Sequence, residues 1–244
     1  MSSEKLTAQQ EAGRLASEIF SKLAELVSEG TGVLEIEQFI CKKITEGGMK
    51  PAFRGYNGYN FCSCLSLNDT VVHGLPSSRK LQSGDLLTVD LGISNNSWMV
   101  DAARTYPIGK VPQSALKLIE TAEDALKKAA ELCWPGQKIS EISRVIAETV
   151  EKSGFFIFAD LTGHGIGRNL QEPPTVYNIR KSQDATLAEG QTIAIEPIIG
   201  LNKAELLIAE DNWSVLTEPP TLSAHVEDTV AATSSGPKLL TRLQ

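Results

Sequence analysis

The feature that most constrains this chain is that it repeats itself. Displaced by 106 residues, Leu26–Gly48 overlies Leu132–Gly154, and glycine meets glycine at Gly30 with Gly136 and Gly48 with Gly154. Between them Val33 falls on Ile139, Ile36 on Ile142, Ile40 on Ile146 and Ile44 on Val150, a helical apolar spacing kept in phase. The same displacement lays Gly84–Ile93 (GDLLTVDLGI) over Gly190–Ile199 (GQTIAIEPII) and brings Asp90 onto Glu196. A long period present twice is a duplication rather than a solenoid. Two helix-helix-strand halves, about residues 7–110 and 112–235, then meet across a pseudo-two-fold axis with Asp90 and Glu196 at the seam. The expectation is an α+β chain forming a single domain over residues 1–244.

The helices follow from pattern and punctuation. Thr7-Ala8-Gln9-Gln10 resembles a capping box, which predicts a first helix from there to about Glu29. A second helix buries Val33, Ile36, Phe39, Ile40 and Ile44 and stops at Gly47-Gly48. Others are expected over about Gln113–Leu132 and Ser140–Lys152. The remaining segments read as extended, with a last strand over Ser223–Thr233.

Gly84–Arg104 holds two apolar runs, each with one aspartate, around the polar turn Ser94-Asn95-Asn96-Ser97. Reversal about the Asn95–Asn96 bond sets Asp90 directly opposite Asp101, with Cβ atoms roughly 5 Å apart. Two carboxylates that close, flanked by Val89, Leu91, Val100 and Ala102, repel and lose hydration. A divalent cation removes the conflict.

Other acids and histidines in apolar, extended surroundings are Glu196, Glu227 and His164. Poor alternation over Ser223–Ala231 leaves open which way Glu227 points. His164 sits between Gly163 and Gly165, which allow close backbone approach. Four carboxylates and one imidazole suit a two-metal site that activates water. Oxygen-rich ligation with one imidazole fits Mn, Fe, Co or Zn rather than a thiolate-bound structural zinc. GHGIGR does not fit GxGxxG, and no GxSxG is present.

The net charge of −7 argues against DNA binding and suits holding cations. No apolar run is long enough to cross a membrane. Cys41, Cys62, Cys64 and Cys133 lack zinc-finger spacing. Without a signal peptide they predict free thiols in a reducing, cytoplasmic setting, with Cys62 and Cys64 on one face of a strand.

At these residues the chain resembles the methionine aminopeptidases, closest to their short bacterial type I form. The likeness runs from Glu11–Ala16 through Tyr56–Tyr59, Ser66–Asp69, Val72–Pro76, Val89-Asp90, Val100-Asp101, Thr162–Arg168, Ile195–Pro197 and Ser223–Thr229. It implies a pita-bread fold, with a central antiparallel sheet and outer helices, and removal of the initiator methionine from nascent or short peptides by a metal-bridging hydroxide. Asp90 would chelate one of two divalent ions (Co, Mn, Fe or Zn), and Asp101 and Glu227 would bridge both. His164 and Glu196 would complete the second, with Glu196 also handling a proton. His73 would contact the substrate, and Tyr56, Tyr59, Cys64 and Trp213 match positions lining the methionine pocket. The partner implied is a peptide or nascent-chain N-terminus, with ribosome association and a monomer expected. Two departures stand out: Gln171 replaces a histidine expected to bond the substrate, and Leu170 replaces an aromatic. Related Xaa-Pro peptidases, and a weakened peptide-binding relative, are the competing readings.

Overall fold

The computed structural model describes residues 3–242. Four α-helices lie among them: α1 (Ser3–Leu26), α2 (Val33–Glu46), α3 (Gln113–Ala130) and α4 (Ile139–Ser153). The first half contributes β1 (Lys50–Pro51), β2 (Ser63–Leu67), β3 (Thr70–Val72), β4 (Leu86–Asn95) and β5 (Trp98–Pro107). After α4 come β6 (Phe156–Ile157), β7 (Thr162–Gly165), β8 (Glu172–Tyr177), β9 (Thr192–Ile195) and β10 (Ile198–Gly200). The chain closes through β11 (Glu205–Ile208), β12 (Val215–Glu218), β13 (Ser223–His225), β14 (Glu227–Ala231) and β15 (Lys238–Leu239). Thr7 lies inside α1, so the expected capping box does not start that helix.

One sheet joins strands of both halves in the order β1-β4-β5-β14-β9-β7-β8, with β2 added on β4 and β15 on β14. Alternation sets its two faces. Val89, Leu91 and Ile93 of β4 and Val100 and Ala102 of β5 pack with Ala12, Ala16 and Ile19 of α1 and Ile36, Ile40 and Ile44 of α2. Ile193 and Ile195 of β9 and Val230 of β14 pack with Leu118, Ala122 and Ala125 of α3 and Ile142 and Ile146 of α4. Each such aliphatic side chain is worth roughly 1.5–3 kcal/mol when fully buried. A one-residue slip would turn them away from the helices and drive Asp90 into that core, so the facing is strongly fixed.

The duplication reaches individual hydrogen bonds. Gly30 N–H donates to Leu81 O and Gly136 N–H to Leu187 O; Val33 donates to Arg79 O and Ile139 to Ala185 O. Lys50 pairs with Ser94 and Pro51 with Ile93, just as Phe156 pairs with Gly200 and Ile157 with Ile199. Gly30 and Gly136 have φ of 89° and 86°, a left-handed backbone that explains why glycine recurs there. The strand that is continuous in β4 is split into β9 and β10 in the second half, at Pro197, which has no N–H for the ladder.

Four further expectations are corrected. In the hairpin, Asn95 pairs with Trp98, so Asn96 and Ser97 form the two-residue turn, both with positive φ (50° and 65°). Asp101 therefore faces Gly92, and Asp90 faces Ala103. The offset is two residues, so the two aspartates still share a face as diagonal neighbours. The last strand is broken at Val226, whose N–H bonds Pro197 O. Finally, Cys41 and Cys62 are joined as a disulfide, while Cys64 and Cys133 are free and buried. Cys62 packs with the α1 and α2 core, whereas Cys64 packs with Phe53 and Tyr59, so the two do not share a face.

Candidate metal centre

On the sheet face away from the helices, side chains fall in cross-strand rows. One row runs Cys64, Asp90, Ala103, Glu227 across β2, β4, β5 and β14. Extending the Asp228–Ile195 pairing by one step places Glu196, just past β9, opposite Glu227. The next row runs Gly92, Asp101 and then Thr229, Ala194, His164, the Thr229 hydroxyl bonding both the N–H and the C=O of Asp101. Adjacent strands are about 4.8 Å apart, so two neighbouring rows bring the five polar groups together. Ala103, Ala194 and Gly92 keep the space between them clear. A Cβ on Gly92 would meet the Phe53 ring at 2.7 Å, so the residue opposite Asp101 makes room for a cavity wall. Gly163 and Gly165 serve β7 similarly, for a Cβ on either would lie 2.3 Å from a backbone carbonyl of the neighbouring strand.

A third row contains a residue the sequence reading missed. His225 is two positions before Glu227 and shares its face; its N–H and C=O both bond the Thr105 hydroxyl. Its Nε2 lies 3.4 Å from Glu227 Oε2 and 3.6 Å from Glu196 Oε2, while His164 Nε2 lies 3.5 Å from Glu196 Oε1. Two triads therefore converge, Asp101-His164-Glu227 and Glu196-His225-Glu227, with Glu227 common to both. Parity with Glu227 was the only sequence signal for His225, and the break at Val226 hid it.

The acids are nearly dry. Asp90, Asp101, Glu196 and Glu227 are each 9% exposed or less. Burial raises all four carboxyls above their ordinary range, and repulsion from Glu227 raises the other three further. Asp90 is pushed up to about 8 and Glu227 to about 7. Burial also lowers His225 to about 4 and lowers His73, which the charge of His225 lowers further. Asp90 Oδ1, Asp101 Oδ1, Glu227 Oε1 and both His225 ring nitrogens are buried without hydrogen-bond partners. Buried polar groups are rarely left so. Oxygen and imidazole donors converging on one point fit divalent cations of the Mn, Fe, Co or Zn type.

Beside the rows, Asp228 points to the opposite side. It is buried and accepts from Arg104 Nη2 (2.6 Å), Thr241 Oγ1 (2.7 Å) and Arg242 Nε. Consecutive acids of β14 thus have different fates: Asp228 is neutralised by arginines, Glu227 is left for the site.

The sign of the pH dependence follows. A carboxyl whose folded pKa is raised stabilises the metal-free fold below about pH 4, where the unfolded group titrates, and this is lost as pH rises through the folded value. For Glu227 and Asp90 the loss extends to about 7 and about 8. The melting temperature of metal-free protein is expected to fall from pH 5 to pH 8, and divalent metal to reverse the trend. Differential scanning calorimetry over that range, with and without Mn²⁺, checks it.

Above the acids lies a cavity of about 350 Å³. Its walls include Phe53, Tyr56, Tyr59, Cys64, His73, Leu170, Gln171, Ile198 and Trp213. All twelve residues singled out from the sequence therefore line one space. The Tyr59 and Trp213 rings meet edge-on at 5.0 Å, and Tyr59 Oη donates to Ser63 O at 2.9 Å. Tyr56 and Gln171 are exposed at the rim, whereas Leu170 is buried. One side of the space is apolar and one side is acid and imidazole, which suits a small apolar side chain held against a hydrolytic centre.

Comparison with known proteins adds independent findings. Residues 7–234 match the family Peptidase_M24, described as metallopeptidase family M24. The chain is 36% identical over 234 residues to a methionine aminopeptidase of Clostridium perfringens, covering 96% of this chain and 94% of that one. It is 37% identical to that of Aquifex aeolicus, covering 95% and 94%. The crystal structure of the Thermotoga maritima methionine aminopeptidase superposes with a TM-score of 0.96 at 31% identity, covering 100% and 98%. The prolidase of Pyrococcus furiosus shares the fold, with a TM-score of 0.79 at 24% identity, but this chain spans only 65% of it.

Proposed function

This chain belongs to metallopeptidase family M24 and has the pita-bread fold, and on that premise we propose that it is a methionine aminopeptidase, hydrolysing the bond after an N-terminal methionine. The observation that carries the reading is the convergence of Asp90, Asp101, His164, Glu196 and Glu227 on the floor of a cavity whose other wall is apolar.

In our reading Asp90, Asp101, His164, Glu196 and Glu227 would hold two divalent ions, with Glu227, common to both triads, serving both. His225 offers the pair a second imidazole. Two such ions supply Lewis acidity and a water acidic enough to attack a carbonyl near neutral pH. Glu196, whose carboxyl lies 3.5 Å from His164 and 3.6 Å from His225 at the edge of the cavity, is suited to take up a proton and return it to the departing amine. His73, kept neutral by burial, can donate a hydrogen bond to the carbonyl where negative charge develops. Gln171 can donate there as well but carries no charge. Phe53, Tyr59, Cys64, Leu170 and Trp213 receive the apolar side chain and exclude water from it. The chain is read as one catalytic unit, because the acids of both halves are needed at one point.

The test is an activity profile with metal-reconstituted protein over peptides varied at their first two positions. Release of methionine from Met-Ala-Ser, absent without metal, is the expected result. Preference for Xaa-Pro peptides would move the assignment to the proline-directed branch. No hydrolysis of either with metal bound would leave a peptide-binding protein.

A further inference from the structure

We propose that Cys41 and Cys62 are a reversible thiol–disulfide centre, separate from the metal site, which a hydroperoxide oxidises and a dithiol reduces. The pair joins α2 to the chain entering β2. Its two sulfurs are unlike. Cys62 is 1% exposed, whereas Cys41 is half-buried beside the exposed Arg54. Arg54 Nη2 lies 2.9 Å from Cys41 Sγ. Glu37, buried on α2, places Oε1 3.3 Å from the same sulfur. Its carboxylate is fixed by Cys62 N–H (2.7 Å), Ser63 N–H (3.1 Å) and the Ser63 hydroxyl (2.6 Å).

That arrangement does more than brace the fold. α2 is already held by fully buried Ile36, Ile40 and Ile44, and a brace needs no cation on its sulfur. A reduced Cys41 would meet the Arg54 cation, which favours a thiolate, while the charge of the neighbouring Glu37 carboxylate is offset by its three protein donors and by Arg54 at 4.0 Å. Glu37, Cys41 and Cys62 also converge closely enough to suggest a metal, but the Arg54 guanidinium stands against the sulfur such a cation would need.

The chemistry balances. Cys41 sulfur attacks the peroxide, the O–O bond breaks, an S–O bond forms, and the leaving oxygen departs with a proton as water or alcohol. Cys62 sulfur then attacks the Cys41 sulfenic acid: the S–S bond forms, the S–O bond breaks and water leaves. Two thiols lose two electrons and one peroxide gains them. A dithiol reverses this by exchange, becoming a disulfide itself.

The test uses the full chain. Protein treated with a phosphine is alkylated in its native state and mapped by mass spectrometry. Two new reactive thiols, Cys41 and then Cys62, should appear while circular dichroism is unchanged. One equivalent of hydrogen peroxide should close the bond between the same residues, and dithiothreitol should reopen it. Cys62→Ser should leave a Cys41 sulfenic acid that dimedone captures. Arg54→Gln should slow peroxide consumption about tenfold. A bond that opens only on denaturation, or thiols that stay free after peroxide, would overturn the proposal whatever the variants do.

Discussion

Glu227→Gln is expected to abolish methionine release, by about a thousandfold or more, and yet to raise the melting temperature of the metal-free protein at pH 8. The two effects have one cause. Glu227 is the residue shared by both triads, and a neutral amide cannot bridge two cations. Losing a single neutral donor to a transition state already costs 10²–10³ in rate, and here the ions themselves are lost. Glu227 also raises the carboxyls of Asp90, Asp101 and Glu196 by repulsion. Removing its charge relieves all three in the metal-free fold. A variant that was merely misfolded would lose activity and stability together, so activity measured beside calorimetry separates the cases. The stability gain should shrink toward pH 5, where the acids are protonated in either protein.

Gln171→His is expected to raise turnover on a Met-Ala peptide about tenfold or more, with the Michaelis constant less affected. Gln171 stands exposed at the cavity rim. It can offer a hydrogen bond to the scissile group but no charge and no proton. A histidine there adds both, and the interaction strengthens as negative charge develops. Steady-state kinetics with equal metal loading checks it. Unchanged or lower turnover with intact metal binding would show that this position does not act on the reacting carbonyl.

Much of the site was legible because the duplication fixed phase. Glycines with positive φ recur at matching positions, and Asp90 and Glu196 fell on one another before any strand was placed. The hairpin register was misread by two residues because Asn95-Asn96 and Asn96-Ser97 both look like two-residue turns. The structure uses the second, with Ser97 accepting a positive φ that favours glycine or asparagine. Side-chain direction survives an even shift, so the shared face of Asp90 and Asp101 held although their direct opposition did not. His225 was invisible because Ser223–Ala231 does not alternate: Asp228, on the far side, looks as polar as Glu227 and is explained only by Arg104 and Arg242 from distant segments. The Cys41–Cys62 bond leaves no local trace, since one partner is on a helix and the other at a strand entrance, and pairing depends on Cα approach that sequence alone does not give.

The most direct measurement of the central claim counts metal and product in one sample. Metal-free protein is dialysed against Mn²⁺, analysed for bound metal, and assayed for methionine release from Met-Ala-Ser, with Glu227→Gln in parallel. The expected result is two ions per chain with release in the native protein, and neither in the variant. Methionine release that persists in the native protein with no metal bound, or two ions retained by the Glu227→Gln chain, would contradict it.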